Sequence, residues 1–380
     1  MLYRAIGLMS GSSLDGLDIV FVALQSSGSK WEFEIIAADC IPYDTSLAGE
    51  LAGAVKMNAL DYQLLHTRYG HYLGQQVNRF INAHGLDFKV ALVASHGHTT
   101  FHIPSEKMTA QLGDGAAIAA QTGLPVVSDL RAMDIAFGGQ GAPIVPIGEE
   151  LLFPGYRFFL NIGGIANLSA RTGEGFRAFD ICAANRVLNM LAQQGGDDYD
   201  DRGKIAASGI VSKHLLADLD ALDYYRQASP KSLANDFGTH TVYPLIRQHG
   251  LELKDALATY VEHIANQVEK AVCPFIDGTA DQPFTDGTAN QPLTEGTAYQ
   301  MMVTGGGAFN DFLITKIREK LNAHNITVVI PDEQVVRYKE ALIMALIGVL
   351  RWREESNVLS SVTGASRNSV GGAFWMGQEG

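Results

Sequence analysis

Two aspartates three residues apart, Asp15 and Asp18, lie in the stretch Gly11-Ser12-Ser13-Leu14-Asp15-Gly16-Leu17-Asp18. Small residues of this kind let a backbone come close to a charged oxygen and offer N–H and hydroxyl donors, while carboxylates suit a divalent cation. Four more turns of similar character follow apolar segments: Ser95-His96-Gly97-His98-Thr99, Gly113-Asp114-Gly115, Asn161-Ile162-Gly163-Gly164-Ile165-Ala166-Asn167 and Thr304-Gly305-Gly306-Gly307-Ala308-Phe309-Asn310. Ligands gather at the carboxyl ends of parallel strands. One such turn is explained by turn geometry alone, but several in one chain point to a nucleotide site. None fits GxxxxGK[ST] or the dinucleotide pattern GxGxxG, so phosphate would be held by separate hairpin turns. Asp180 ends the run Arg177-Ala178-Phe179-Asp180. A carboxylate there could take a proton from an attacking water, or it could cap a helix starting near Ala184.

The elements that must position these groups belong to a chain of 380 residues, 47% hydrophobic and only 18% charged, which allows two domains with a substantial core. The formal net charge of −13 and the lack of a Lys/Arg run exclude a nucleic-acid binder. Three widely spaced cysteines, Cys40, Cys182 and Cys273, give neither a disulfide framework nor a zinc motif, and are read as reduced and structural. The apolar run before Ser10 is too short for a signal peptide. The longest later run, Ala341 to Leu350, is about half of the ~20 residues a membrane helix needs. These features predict a cytoplasmic enzyme with small-molecule partners, no nucleic acid and no membrane, and leave room for a homodimer.

Strand-like and helical segments alternate. Tyr3 to Leu8 and Leu17 to Leu24 read as a hairpin flanking the first glycine turn. Asp61 to His84 has a helical apolar period through Leu64, Leu65, Tyr69, Tyr72, Leu73, Val77, Phe80 and Ile81. Val90 to Ala94, Arg157 to Ile162, Phe176 to Phe179, Met301 to Val303 and Ile326 to Ile330 read as strands. Lys254 to Val272, Asp311 to Asn322 and Gln334 to Arg351 read as helices. The mixture predicts an α/β fold with covered sheets. A Gly-rich, charged segment from Ser128 to Pro146 is the expected hinge. Residues 277–298 repeat a nine-residue unit, DGTADQPFT then DGTANQPLT, and read as an expanded surface loop.

The motifs GLMSGSSLDGLD, ASHGHT, QLGDGAAIA, SDLRAMDIAFGGQGAPIVP, LNIGGIANLS, AFDICAANRVLN, GGGAFN, KEALIMALIG and SVTGAS occur in this order. Together they resemble the actin, sugar kinase and heat-shock ATPase superfamily and, within it, the anhydro-N-acetylmuramic acid kinase family. The resemblance covers nearly the whole chain apart from 277–298. It implies two RNase H-like α/β lobes around a central cleft: 1–130 with about 346–380, and 131–345. It implies ATP and Mg²⁺, with ATP phosphates on Gly11, Ser12, Ser13, Leu14, Asp15, Gly16, Leu17, Asp18, Asn161, Gly163 and Gly164, the adenosine loop at Gly305, Gly306 and Gly307, and Asp15 and Asp18 nearest the metal.

By the same resemblance Asp180 is the general base, Asp129, Arg131 and Glu340 contact the sugar, and His96 contacts the sugar or positions the base. Taken alone, Asp18 could cap a turn, Asp129 and Arg131 could form a structural salt bridge, and Glu340 could be the dipole partner of a helix start. The implied reaction is ATP-dependent phosphorylation of 1,6-anhydro-N-acetylmuramic acid with opening of its anhydro bridge by water, in cell-wall recycling. The chain departs from the family at Ile181-Cys182-Ala183, where Thr-Gly-Pro is usual, at Ser12 for Thr, and at His98 for Gln. The first departure keeps two rivals open: a kinase of the same fold for another amino sugar, and a non-catalytic sugar or nucleotide sensor.

Overall fold

Alternating apolar residues at the start of the chain pair into β1 (Leu2–Ser10) and β2 (Gly16–Ser27), the hairpin expected from the sequence, with Ser10 opposite Leu17. The computed structural model describes residues 1–11, 14–173, 175–227, 231–234, 236–276 and 298–377. Ser12 and Ser13 of the first turn, and residues 277–297 of the repeat, lie outside the described residues. β3 (Lys30–Pro42) adds antiparallel to β2. It was not expected, because exposed charges at Lys30, Glu32 and Glu34 dilute its apolar residues, as suits a sheet edge. β4 (Leu92–Ser95) lies parallel on the other side of β1, β5 (His98–Ile103) and β6 (Met108–Leu112) form a separate hairpin, and β7 (Val126–Ser128) lies parallel to β4.

The second sheet comprises β8 (Phe158–Ile162), β9 (Ile165–Thr172), β10 (Gly175–Ala183), β11 (Tyr299–Thr304) and β12 (Ile326–Val329). Its order is β10-β9-β8-β11-β12, and the first sheet runs β3-β2-β1-β4-β7, then β13 (Ala373–Trp375) at the edge. In both, an antiparallel three-stranded meander is followed by two parallel strands. That repeated order is the RNase H-like arrangement, and the chain is α/β with two such units.

One unit is Met1–Pro154 with Tyr338–Gly380; the other is Gly155–Arg337. Residues 131–154 and 338–345, assigned to the second lobe from sequence, therefore group with the first unit, and so does the segment expected as a hinge. Helix Ala59–His84 covers one face of the first sheet. It lays Leu65, Tyr69, Leu73, Val77 and Phe80 on Ile6, Leu8, Leu17, Ile19 and Phe21. Leu64, expected in that stripe, is exposed. In the second unit, helix Leu253–Val272 buries Leu257, Tyr260, Val261, Ile264 and Val268 in the same core as Phe158, Leu160 and Leu168. No helix among the described residues is long and apolar enough to cross a membrane.

The other face of the first sheet is covered by helix Glu333–Trp352, whose approach is set by missing side chains. A Cβ on Gly7 would collide with the Ala341 carbonyl, and one on Gly348 would sit 2.5 Å from the Ala94 methyl. The neighbour at Gly7 is backbone and cannot swing aside. Gly7→Ala should therefore destabilise the protein by about 1–3 kcal/mol, read as a lowered thermal midpoint. An unchanged midpoint would mean that the helix does not rest on β1 at this distance.

Candidate active site

The expected functional residues fall into two groups, one in each unit. In the first unit, the turn between β1 and β2 is residues 11–15, narrower than the stretch singled out from sequence. Gly16 and Leu17 already belong to β2. Leu17 is 1% exposed and packs in the core, and a Cβ on Gly16 would meet the Ile41 carbonyl at 2.6 Å. Both positions are explained by the sheet. Leu14 takes a positive φ of 60° and its amide donates to the Gly11 carbonyl at 3.4 Å, so a non-glycine residue is held in the left-handed region here. Asp15 is exposed at the turn.

Asp18 caps no turn. It lies within β2, opposite Met9 and Cys40. Burial, with the charges of Glu340 and Asp15 adding to it, pushes its carboxyl up to about 6 against a hydrogen bond from Cys40. Glu340 is not at a helix start either, since the helix begins at Glu333. Part of Glu340 remains open, while its carboxyl lies deep among protein atoms. Burial raises its pKa, Lys339 and Arg131 oppose the rise, and Glu149 adds to it. The neighbouring Lys339 pairs with Glu149 at 2.8 Å, both side chains being almost fully buried.

His96 is 3% exposed, and both its ring nitrogens are engaged. Nδ1–H donates to the Gly97 carbonyl at 2.8 Å, and Nε2 accepts from Arg131 Nε at 2.9 Å. Burial and the adjacent guanidinium depress its pKa to about 3, so the ring is neutral and its acceptor nitrogen stays available. The expected sugar contact is thus a group that holds Arg131. The salt bridge suggested by the closeness of Asp129 and Arg131 in sequence is absent. Arg131 Nη1 donates to the Gly141 carbonyl at 2.6 Å. Asp129 follows β7 in the left-handed region, φ 55°, and accepts from Ser128 Oγ at 2.9 Å. That hydroxyl in turn accepts from Trp375 Nε1 at 3.1 Å.

A second polar chain lies at the end of β1. Tyr43 OH donates to Ser10 Oγ at 2.8 Å, Tyr69 OH lies 2.7 Å from Tyr43 OH, and Ser10 Oγ is 3.3 Å from His98 Nδ1. Burial lowers the His98 pKa. The GDG turn serves a structural end: Asp114 accepts from Ala116 N at the start of helix Gly115–Thr122.

In the second unit, Gly163 and Gly164 form the turn between β8 and β9. Their carbonyls accept from Asn185 N at 3.0 Å and Ala184 N at 2.9 Å, which ties the turn to helix Asn185–Ala192. Asn185 Nδ2 donates to the Ile162 carbonyl at 3.0 Å. Asn161 Oδ1 accepts from Thr304 Oγ1 at 3.3 Å.

The glycines here differ in what requires them. Gly305 has φ 80° and would crowd Asn161, and a Cβ on Gly307 would collide with Ile162. At Gly163, Gly164 and Gly306 a Cβ would meet nothing nearer than 3.4 Å, and none has a positive φ that excludes other residues. These three leave bare backbone that neither packing nor strain demands. Arg186, which sequence reasoning did not single out, lies with Nε 3.7 Å from where a Gly164 Cβ would stand.

Asp180 sits inside β10 and caps no helix; the cap position of the next helix is Ala184 and has no side-chain bond. Between Asp180 and Cys182 the pairing with β9 slips by a residue, a bulge that re-aims the chain. Its Oδ2 accepts from Leu233 N at 2.8 Å and Ser232 Oγ at 3.2 Å. The Asp180 backbone is also held: its amide donates to the Lys231 carbonyl at 3.0 Å, and its carbonyl accepts from Tyr224 OH at 2.7 Å. Burial raises the Asp180 pKa, and the bonds from Leu233 and Ser232 restrain the rise. Ile181, Cys182 and Ala183 are at most 2% exposed and pack into the core. Burial drives the Cys182 thiol pKa upward, and the three cysteines form no disulfide.

Among solved structures, the activator of the 2-hydroxyisocaproyl-CoA dehydratase from Clostridium difficile with bound ADPNP superposes with a TM-score of 0.46 at 14% identity, over 92% of this chain and 96% of that one. Among curated proteins, the anhydro-N-acetylmuramic acid kinase of Francisella tularensis subsp. novicida is 31% identical, covering 96% of each chain. The anhydro-N-acetylmuramic acid kinases of Salinibacter ruber and Shewanella sediminis are each 32% identical, over 97% of this chain and 95% and 98% of theirs. The family profile for anhydro-N-acetylmuramic acid kinase matches residues 3–377. With relatives of this identity over nearly full length, and the motifs of both units in place, the chain belongs to the anhydro-N-acetylmuramic acid kinase family.

Proposed function

We propose that this kinase takes 1,6-anhydro-N-acetylmuramic acid, water and ATP to N-acetylmuramic acid 6-phosphate and ADP, in the cytoplasm, as a step of peptidoglycan recycling. The observation that carries the mechanism is the one-sided hydrogen bonding of Asp180. Oδ2 is pinned by Leu233 and Ser232, while Oδ1 has no hydrogen-bond partner among the described residues. A carboxylate oriented through one oxygen presents the other to a proton.

Asp180 takes a proton from water as the water oxygen bonds to the anomeric carbon. The bond from that carbon to O6 breaks, O6 receives the γ-phosphoryl group, and ADP leaves. The proton on Asp180 passes to solvent. The bare backbone at Gly163, Gly164 and Gly306 supports close approach of the nucleotide. His96 holds Arg131, and Asp129, Arg131 and Glu340 bind the sugar. Positioning and electrostatics of this kind supply most of the catalysis in phosphoryl transfer.

Among the described residues no group of three His, Cys, Asp or Glu side chains could hold a metal by itself. Mg²⁺ bound through nucleotide phosphates and water needs only one or two carboxylates. Asp18 fits that need, because burial and neighbouring negative charge disfavour its ionised form and a cation relieves both. Asp18 and Asp15 would hold the ion, which would neutralise charge on the phosphates.

Three outcomes follow. Asp180→Asn should abolish sugar-dependent ADP release while both substrates still bind; turnover within about tenfold of wild type would remove Asp180 as the base. Because the base must be ionised and its pKa is raised, activity should fall with decreasing pH at values above those where an ordinary aspartate, near 3.8, titrates. An acid limb at or below that value would contradict the burial argument. Gly306→Ala should leave the thermal midpoint nearly unchanged, since its Cβ meets no clash, yet weaken ATP binding by about tenfold or more. A variant that binds ATP normally would show that no ligand approaches that backbone.

A further inference from the structure

Arg131 is a largely desolvated cation whose hydrogen-bond partners are neutral: His96 Nε2 and the Gly141 carbonyl. Among the described residues it forms no ion pair, and Nη2 has no hydrogen-bond partner. A guanidinium fixed along one edge presents the other to an acceptor, and its planar fork favours an anion there.

What fixes the Gly141 loop is a deeper set of bonds. Asp134 is 0% exposed. Its Oδ2 accepts from the Gly141 amide at 2.8 Å, and its Oδ1 accepts from Thr363 Oγ1 at 2.7 Å. The Gly139 amide donates to the Asp134 carbonyl at 3.0 Å, and the Gln140 amide to the Thr363 carbonyl at 2.8 Å. A Cβ on Gly139 would collide with the Asp134 carboxylate. Thr363 is 1% exposed and stands 229 residues away in sequence. An apolar contact could join these segments without desolvating a carboxylate. The carboxylate instead sets the direction of one amide, and the carbonyl of that same residue receives Arg131.

We infer that Asp134 and Thr363 are positioning residues for Arg131, so that a hydroxyl in the C-terminal segment sets how the guanidinium meets an anionic group of the substrate. The inference rests on the reading of Arg131 as a sugar contact. Thr363→Val keeps the shape and removes the hydroxyl; Thr363→Ser keeps the hydroxyl.

The test is calorimetric binding of 1,6-anhydro-N-acetylmuramic acid to the full chain, without ATP, in four variants: Thr363→Val, Thr363→Ser, Arg131→Ala, and Thr363→Val with Arg131→Ala. Thr363→Val should weaken binding about five- to tenfold, and Thr363→Ser should restore it to within about twofold. In the Arg131→Ala background, Thr363→Val should add no further loss, whatever it does to the thermal midpoint. Equal losses in both backgrounds, or wild-type binding by Thr363→Val, would overturn the inference while leaving the role of Arg131 intact. Wild-type binding by Arg131→Ala would overturn both.

Discussion

The Leu233 amide, 2.8 Å from Asp180 Oδ2, is the contact on which the proposed chemistry depends. Burial raises the Asp180 pKa and so disfavours the ionised form a base needs. Two donors on one oxygen keep the anion accessible and turn the carboxyl, while the bulge after Asp180 releases the chain from strict alternation. The same slip sends Ile181 and Cys182 into the core. The departure from the family's Thr-Gly-Pro is therefore absorbed by apolar packing.

The two units repeat one strand order but use their first hairpins differently. In the first unit, acidic groups crowd the hairpin: the charges of Glu340 and Asp15 add to the burial that raises the Asp18 pKa. In the second, the hairpin turn carries no acid. It offers bare glycine backbone, locked to the following helix through the Gly163 and Gly164 carbonyls. In the proposed mechanism the acidic hairpin would take a cation and the bare glycine backbone a phosphate. Helix Glu333–Trp352 brings Glu340 to the first of these, and it can do so only because Gly7 lacks a side chain.

Much of this was legible from sequence. Alternation gave β1 and β2, the 3.6-residue period gave helix Ala59–His84, and helix Asp311–Asn322 was read to the residue. Glycine turns marked both hairpins. The third strand of the first sheet was hidden because an edge strand carries charge where a central one carries apolar residues. Site chemistry was less legible. Taken alone, Asp180 read more readily as a helix cap, and only the resemblance of the ordered motifs made it the expected base. Ser232, which orients it, is 52 residues away. His96 was visible as polar, but its burial and its bond to Arg131 are tertiary facts. Asp134 and Thr363 were not singled out, and lay unremarked inside two of the ordered motifs. No local pattern encodes a hydrogen bond across 229 residues.

The central claim is that water, deprotonated by Asp180, opens the sugar at its anomeric carbon while O6 takes the phosphoryl group. Turnover in water enriched in ¹⁸O, followed by mass analysis of the product, tests this most directly. The mechanism predicts one ¹⁸O in the anomeric hydroxyl, none in the phosphate ester, and no labelled inorganic phosphate. Label in inorganic phosphate, or a product whose anomeric oxygen comes from the substrate, would contradict it.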